Sequence, residues 1–316
     1  MAVRACTGET LRSGAILAGT DRPNKRIDRL VTHSAPPTDP LSPLFKRFTL
    51  SARLFYSGAL CGIADFANNQ GIGMVHVLRR GRLRVAQPSV PSFELTQPTL
   101  LFYRRPVVHR FEVDAADGAD LVCAFIDFGA TLGNPLLRGL PEVLTVPLAD
   151  MPGVESTLAL LFDEAFSRRA GREAGIDRLV EFLVVLLLRH SIDAQLIKLG
   201  VLAGLSDARL AKALTAMHEQ PAQPWSIASL AQAAGMSRAR FAATFHDVVG
   251  APPLDYLTDW RVSVAQTLLR RDKPLKAVAP EVGYSSPAAF SRVFAKRVGT
   301  SPLDWVAAQG ATDDKS

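Results

Sequence analysis

One segment of this chain is written twice. Phe241, Phe245, Gly250, Pro253, Leu254, Asp255 and Tyr256 recur 49 residues later as Phe290, Phe294, Gly299, Pro302, Leu303, Asp304 and Trp305. Each copy is preceded by a small-residue turn into a new helix start, Gly235-Met236-Ser237 and Gly283-Tyr284-Ser285-Ser286. Helix, glycine-containing turn, helix is the sequence form of a helix-turn-helix. Two of them at fixed spacing make a reader of two major-groove segments.

The surrounding punctuation extends this to an all-helical domain over 206–309. A helix from Asp207 to Glu219 ends at Gln220-Pro221. Ser226 serves as N-cap for 227–234, and Gly235 supplies the turn. Ser237 caps the next helix, which stops at Gly250. Pro253 opens a long helix to about Arg271, Pro274 starts another, and Ser286-Pro287 opens the last repeat helix, which stops at Gly299. Pro280 falls inside the helix from 275 and predicts a bend or a short first half there.

At 100° per residue, a helix that buries Phe241 and Phe245 turns Ala239, Ala242, Ala243 and His246 outward, with Arg238 and Arg240 at the flanks. Burying Phe290 and Phe294 turns out Ala288, Ser291, Arg292 and Ala295. Ser237, Ser286, Pro287 and Lys296 complete the candidate DNA-contact set. Arginine bonds O6 and N7 of guanine bidentately, whereas alanine only touches a thymine methyl. The second helix therefore carries more base readout. The first contributes shape, thymine contacts and phosphate anchoring. A connecting helix with Trp260 and Arg261 can hold the two helices about one DNA turn, roughly 34 Å, apart.

Charge agrees in sign. Of the net +6, residues 1–50 carry 8 basic and 4 acidic side chains, 51–205 carry 15 and 16, and 206–316 carry 13 and 10. The basic ends are compatible with nucleic acid, and the middle is near neutral. The 3 cysteines, Cys6, Cys61 and Cys123, have no metal-type spacing and fit a reducing compartment. Cys61 and Cys123 sit in apolar surroundings, where a buried, inert thiol is expected. No signal peptide or membrane span is read, so a soluble, cytoplasmic chain is expected.

Upstream, residues 1–43 are polar and proline-rich and are expected to be a disordered extension, as is the tail 310–316. From about 48 to 129 short apolar runs alternate with Gly and Pro: Val75-His76-Val77-Leu78, Leu83-Arg84-Val85, Thr99 to Tyr103, Val107-Val108-His109, and Leu121 to Gly129. They predict a small barrel or sandwich over 44–150. Residues 151–205 turn helical. Ile176, Leu179, Val180, Leu183, Leu186 and Leu187 mark one face, and Val184, Val185 and Leu188 a second. A two-sided apolar helix is either buried or shared between subunits, and the subunit contact is favoured here, giving a homodimer.

Residues 208–307 resemble the DNA-binding domain of the AraC/XylS family of bacterial transcription regulators. The resemblance rests on Trp225-Ser226-Ile227 with Leu230-Ala231, Gly235-Met236-Ser237, Trp260-Arg261, Val282-Gly283-Tyr284 and Ala289-Phe290-Ser291-Arg292-Val293-Phe294. One departure is Ala243, where the family often has arginine. The β-rich part resembles the cupin-like sensor domain of a subgroup, through His76, Arg80-Gly81, Pro106 and His109. The implied fold is an α+β multidomain chain: a double-stranded β-helix, a helical dimerisation segment and a C-terminal domain with two helix-turn-helix motifs. The implied function is sequence-specific transcription control by a small-molecule effector. Its partners would be double-stranded DNA, and RNA polymerase if it activates. His76, Tyr103, His109 and Phe125 are candidate pocket residues by strand position.

Two rival readings make different demands on the residues. A metal-dependent cupin enzyme would need an HxH pair and a nearby glutamate. His76 instead has Met74 and Leu78 at the partner positions and Arg79 and Arg80 after it, so no catalytic metal and no cofactor are expected. A sequence-neutral DNA binder fits poorly with so small a basic excess and so large a non-basic part.

Overall fold

The computed structural model describes residues 39–67, 72–88, 90–129, 135–137 and 139–313. Its N-terminal half carries nine strands among the described residues. Strands β1 (Ser51–Leu60), β8 (Ala119–Asp127), β3 (Gly73–Arg80), β6 (Thr99–Tyr103) and β9 (Val143–Pro147) form one sheet in that order. Strands β2 (Gly62–Phe66), β7 (His109–Val113), β4 (Leu83–Gln87) and β5 (Val90–Leu95) form the other. Every pairing is antiparallel.

The period of two decides what lies between the sheets. In β3, Met74 and Leu78 join the apolar cluster between the sheets, while Val75 and Val77 face a second cluster under the helices. His76 shares the inner face with Met74 and Leu78.

Helix α1 (Ser42–Arg47) begins just after Asp39, whose Oδ1 accepts the N–H groups of Leu41 at 3.0 Å and Ser42 at 3.2 Å. Leu41, Leu44 and Phe48 are buried. The expected disordered extension is therefore wrong for 39–43, because this turn has apolar residues to bury; residues 1–38 lie outside the described residues. Likewise helix α11 (Pro302–Asp313) runs into the expected tail, of which 314–316 lie outside the described residues.

Helices α2 (Glu155–Ala165) and α3 (Arg172–Asp193) cover the outer face of the five-stranded sheet. Asp177 accepts the N–H of Leu54 at 2.7 Å and Glu181 that of Ala52 at 3.1 Å. These carboxylates satisfy donors on β1, an edge strand. Most of both apolar faces of α3 is used within the chain: Ile176, Val180, Leu183, Val184, Leu187 and Leu188 are fully buried, while Leu179, Val185 and Leu186 are half-buried. The expectation that one face is a subunit contact is corrected. The sheet takes one face, and α2 with α4 (Val201–Ser206) takes the rest.

The C-terminal helices follow the sequence punctuation closely. They are α5 (Leu210–Glu219), α6 (Ile227–Ala233), α7 (Arg238–Val249), α8 (Pro253–Leu269), α9 (Leu275–Glu281), α10 (Pro287–Val298) and α11. Pro280 sits near the end of α9, which is only seven residues long. Ser226, Ser237 and Ser286 each accept a backbone N–H from the first turn of their helix. Gly250 and Gly299 end α7 and α10 in the left-handed region, at φ +83° and +88°.

One apolar cluster runs from the outer face of the five-stranded sheet through α3 and α4 into these helices. Phe48 meets the ring of Trp260 edge-on at 5.3 Å between centroids. The two halves thus share a core. Cys123 is buried and free, as expected, and burial pushes its thiol pKa up. Cys61 is different: it is half-buried at the end of β1 and disulfide-bonded, not an inert buried thiol. Cys6 lies outside the described residues. No helix among the described residues is long and apolar enough to cross a membrane.

Candidate nucleic-acid interface and sensor interior

The repeated phenylalanines form the inner faces of α7 and α10. Phe241, Phe245, Phe290 and Phe294 are fully buried, and each pair sits with ring centroids 5.5 and 5.6 Å apart. Opposite them, α7 exposes Ser237, Arg238, Ala239, Arg240, Ala243 and His246, with Ala242 half-buried. On α10, Ala288, Arg292 and Lys296 are exposed, while Ser286, Pro287, Ser291 and Ala295 are half-buried. The residues expected to face outward are thus exposed or half-buried, none of them in the core.

Charge divides these surfaces sharply. Among the described residues, Arg238, Arg240, Arg292 and Lys296 make no ion pair, whereas Arg297, next in sequence, is fully engaged. Its guanidinium reaches Asp255 at 2.5 Å and Asp259 at 3.4 Å on α8. Arg297 thus ties α10 to α8, while Arg292 and Lys296 point outward without an ion pair among the described residues. His246 lies 3.5 Å from Asp247, which points away from a simple phosphate role for that corner.

Arg261 does not project to the same surface. Its Nε donates to the carbonyl of Pro221 at 2.7 Å and its Nη2 to that of Gln223 at 2.8 Å. The guanidinium also lies 5.6 Å from the ring centre of Tyr284. Trp260 is buried against His218, with rings 4.2 Å apart, and His218 Nε2 lies 2.6 Å from the Tyr256 hydroxyl. Burial lowers the His218 pKa to about 3.

In the barrel, three of the four pocket candidates meet. The His109 ring is stacked between Tyr103 at 4.2 Å and Phe66 at 4.9 Å. His109 Nε2 lies 3.0 Å from His76 Nε2, and His109 Nδ1 lies 2.8 Å from the Val107 carbonyl oxygen. Tyr103 accepts a hydrogen bond from Gln87 at 2.9 Å. Phe125 stands further out, half-buried and joined to the group through Phe55 at 4.4 Å.

The histidine protons follow from the acceptors. A carbonyl only accepts, so His109 carries its proton on Nδ1 and accepts at Nε2. His76 then donates from Nε2, which leaves its Nδ1 as a bare acceptor. That atom is buried and has no hydrogen-bond partner, as is the Tyr56 hydroxyl. Burial holds both histidines neutral, His109 near pKa 4 and His76 well below its ordinary value, with His109 adding to the shift. Burial also raises Tyr56 to about 12. The neighbours missed in sequence are Tyr56, Phe55, Phe66 and Gln87. Only strand register reveals them: Tyr56, Cys123 and His76 are cross-strand partners on β1, β8 and β3. No group of three or more metal-type ligands occurs among the described residues.

Comparison with known proteins places these two sites in a shared context. Residues 39–193 match the family described as cupin, and residues 230–308 match the helix-turn-helix domain family. A helix-turn-helix-type transcriptional regulator of Haemophilus influenzae is 38% identical over 171 residues, covering 54% of this chain and 57% of that one. A Streptomyces lividans protein described as an AraC-like transcription regulator is 36% identical over 197 residues, 60% of this chain and 64% of that one. The RCS-specific helix-turn-helix-type transcriptional activator RclR of Escherichia coli is 27% identical over 235 residues, 73% and 82%. The matches to the first two relatives span about three-fifths of their length.

Proposed function

The chain belongs to the AraC family, and on that premise we propose that it is a sequence-specific DNA-binding transcriptional regulator, not an enzyme. The observation that carries this reading is the pair of N-capped helices whose outward arginines and lysine make no ion pair among the described residues. A regulator of this kind works in the cytoplasm, on the chromosome.

Base readout is assigned chiefly to Arg292 and phosphate anchoring to Arg238. Arg292→Ala is expected to cost ~1–3 kcal/mol and to relax preference at one base pair. Arg292→Lys restores only part of this, because lysine lacks the planar fork. Arg238→Ala weakens binding about evenly across sequences and lowers the salt slope by about one. Affinities of the three variants for an operator and its single-base variants check the assignment. A uniform loss for Arg292→Ala with altered base preference for Arg238→Ala reverses it.

The effector is assigned to the barrel interior around His76. With both histidines held neutral and the free His76 Nδ1 an acceptor, the ligand of choice is uncharged, offers a hydrogen-bond donor and has an apolar body. Phenol is a fitting probe. It should raise the melting temperature of the full chain where benzoate does not, and His76→Phe should abolish the rise. Equal shifts with benzoate sink this assignment.

A homodimer remains part of the reading, with its contact moved to the outer stripe of α3. Phe182 is 46% exposed there, flanked by half-buried Leu179, Val185 and Leu186.

A further inference from the structure

The two helix-turn-helix units are joined by more than the α8 rod. The first unit is entered through the loop 220–226. That loop is itself rigid: Trp225 Nε1 donates to the Gln220 carbonyl at 3.0 Å, and Ser226 and Ser229 form a reciprocal cap at the start of α6. The second unit turns at Gly283-Tyr284. Arg261, projecting from the middle of α8, touches both. It donates to two carbonyls of the loop, Pro221 and Gln223, and lies over the Tyr284 ring.

The two turns also touch directly. Gly283 has φ +83°, and a Cβ there would meet the Ala222 carbonyl oxygen at 2.9 Å, the Ala222 Cα at 3.0 Å and Arg261 Nη2 at 3.0 Å. The glycine is required twice, by its backbone conformation and by this contact. Tyr284 continues inward to Phe290 at 5.4 Å, so the clip connects to the buried face of α10. On the other side α6 packs on α7. Arg261 therefore bridges the entry of one unit and the turn of the other.

We propose that Arg261, closed over the Ala222–Gly283 contact, is a positioning residue that fixes the separation and angle of the two recognition helices and so sets the operator spacing this chain accepts. A single α8 rod can bend or twist. A guanidinium tied to two backbone carbonyls and seated on an aromatic ring resists that, because its planar fork matches this geometry and a lysine does not. Inserting one base pair between two contacted segments moves them apart by about 3.4 Å and rotates them by about 35°, which follows from a repeat of 10–10.5 base pairs. A rigid reader loses one of its two contacts under such a change. A loosened reader keeps both.

The proposal rests on the reading of this chain as a sequence-specific DNA binder, and the test separates the two. The probe is the duplex that the wild-type full chain selects from a randomised library, with spacing variants made by inserting or deleting one or two base pairs between the segments it protects. The wild type is expected to lose ~tenfold or more in affinity per base pair of altered spacing, the size of a lost base contact. Arg261→Ala should flatten this dependence to within about threefold while single-base preferences inside each segment persist. Arg261→Lys should lie between the two. A merely structural role would lower affinity equally at every spacing. If Arg261→Ala fails to fold, Arg261→Lys, which keeps the charge and stem, decides. A folded variant with the wild-type spacing profile overturns the clip alone. A wild type that selects no sequence overturns the regulator reading, and the clip with it.

Discussion

Val184→Glu or Leu188→Glu is expected to unfold this chain, while Phe182→Glu leaves it folded. All three lie within seven residues of one helix. Val184 and Leu188 are fully buried between the sheet and the neighbouring helices, and Phe182 is 46% exposed. An unpaired carboxylate in such a core costs more than about 4 kcal/mol, a large share of the ~5–15 kcal/mol that holds a domain together. Circular dichroism and urea unfolding check the folding half. Sedimentation checks the other half: Phe182→Glu should convert a dimer to a monomer. Folded, monomeric Val184→Glu would mean that this face of α3 meets a second subunit instead of its own chain.

Acidification from pH 7 to pH 5 should remove ~2 kcal/mol of stability for each deeply buried neutral histidine, counted from the linkage relation. His109 and His218 have folded pKa values of about 4 and about 3, against 6.5 when unfolded. The sign follows directly. Above 6.5 neither state binds the proton, and stability is flat. Below 6.5 the unfolded chain takes up protons that the folded chain refuses, so stability falls until the folded pKa is reached. His76, held well below its ordinary value by burial and by His109, acts in the same direction. Asp39 and Asp65, whose carboxyls are held below 3.8 by their hydrogen bonds to Ser42 and Arg110, contribute only at lower pH. Urea unfolding at the two pH values measures the effect, and His218→Phe should reduce the slope by its share. Stability unchanged from pH 7 to 5 would mean that these imidazoles are protonated in the folded chain.

What the sequence made legible was set by where its signals are local. Helix limits of the C-terminal domain are legible where they are marked on the spot by a capping serine or a terminal glycine, as at Ser226, Ser237, Gly250, Ser286 and Gly299, or by a proline at the start, as at Pro253 and Pro274. The outward faces of α7 and α10 followed from two phenylalanines each. Strand β1 gave no alternation to read, since Leu54 to Ala59 are all half-buried at the edge of the sheet. Val107 and Val108 look like strand, yet β7 starts only at His109, and Val108 is 59% exposed beyond Pro106.

Apolar periodicity on α3 showed two buried faces but could not say whether the cover came from the same chain. The role of Arg261 left no local trace, because its partners are backbone carbonyls 38 and 40 residues away. Strand position alone marks His76 and His109 as pocket candidates. Their mutual bond, and the free acceptor it leaves, depend on register and on one carbonyl, that of Val107.

On the proposed function, two outward helix faces on a shared, rigid core read a particular DNA sequence. The most direct measurement of this is the affinity of the full chain, at one fixed salt concentration, for its selected duplex and for a shuffled duplex of the same length and composition. The expected preference is at least ~10³, the lower range for specific over bulk DNA, and it should be lost in the Arg292→Ala, Arg238→Ala double variant. Equal affinity for both duplexes, in a chain that is folded and binds, would contradict it.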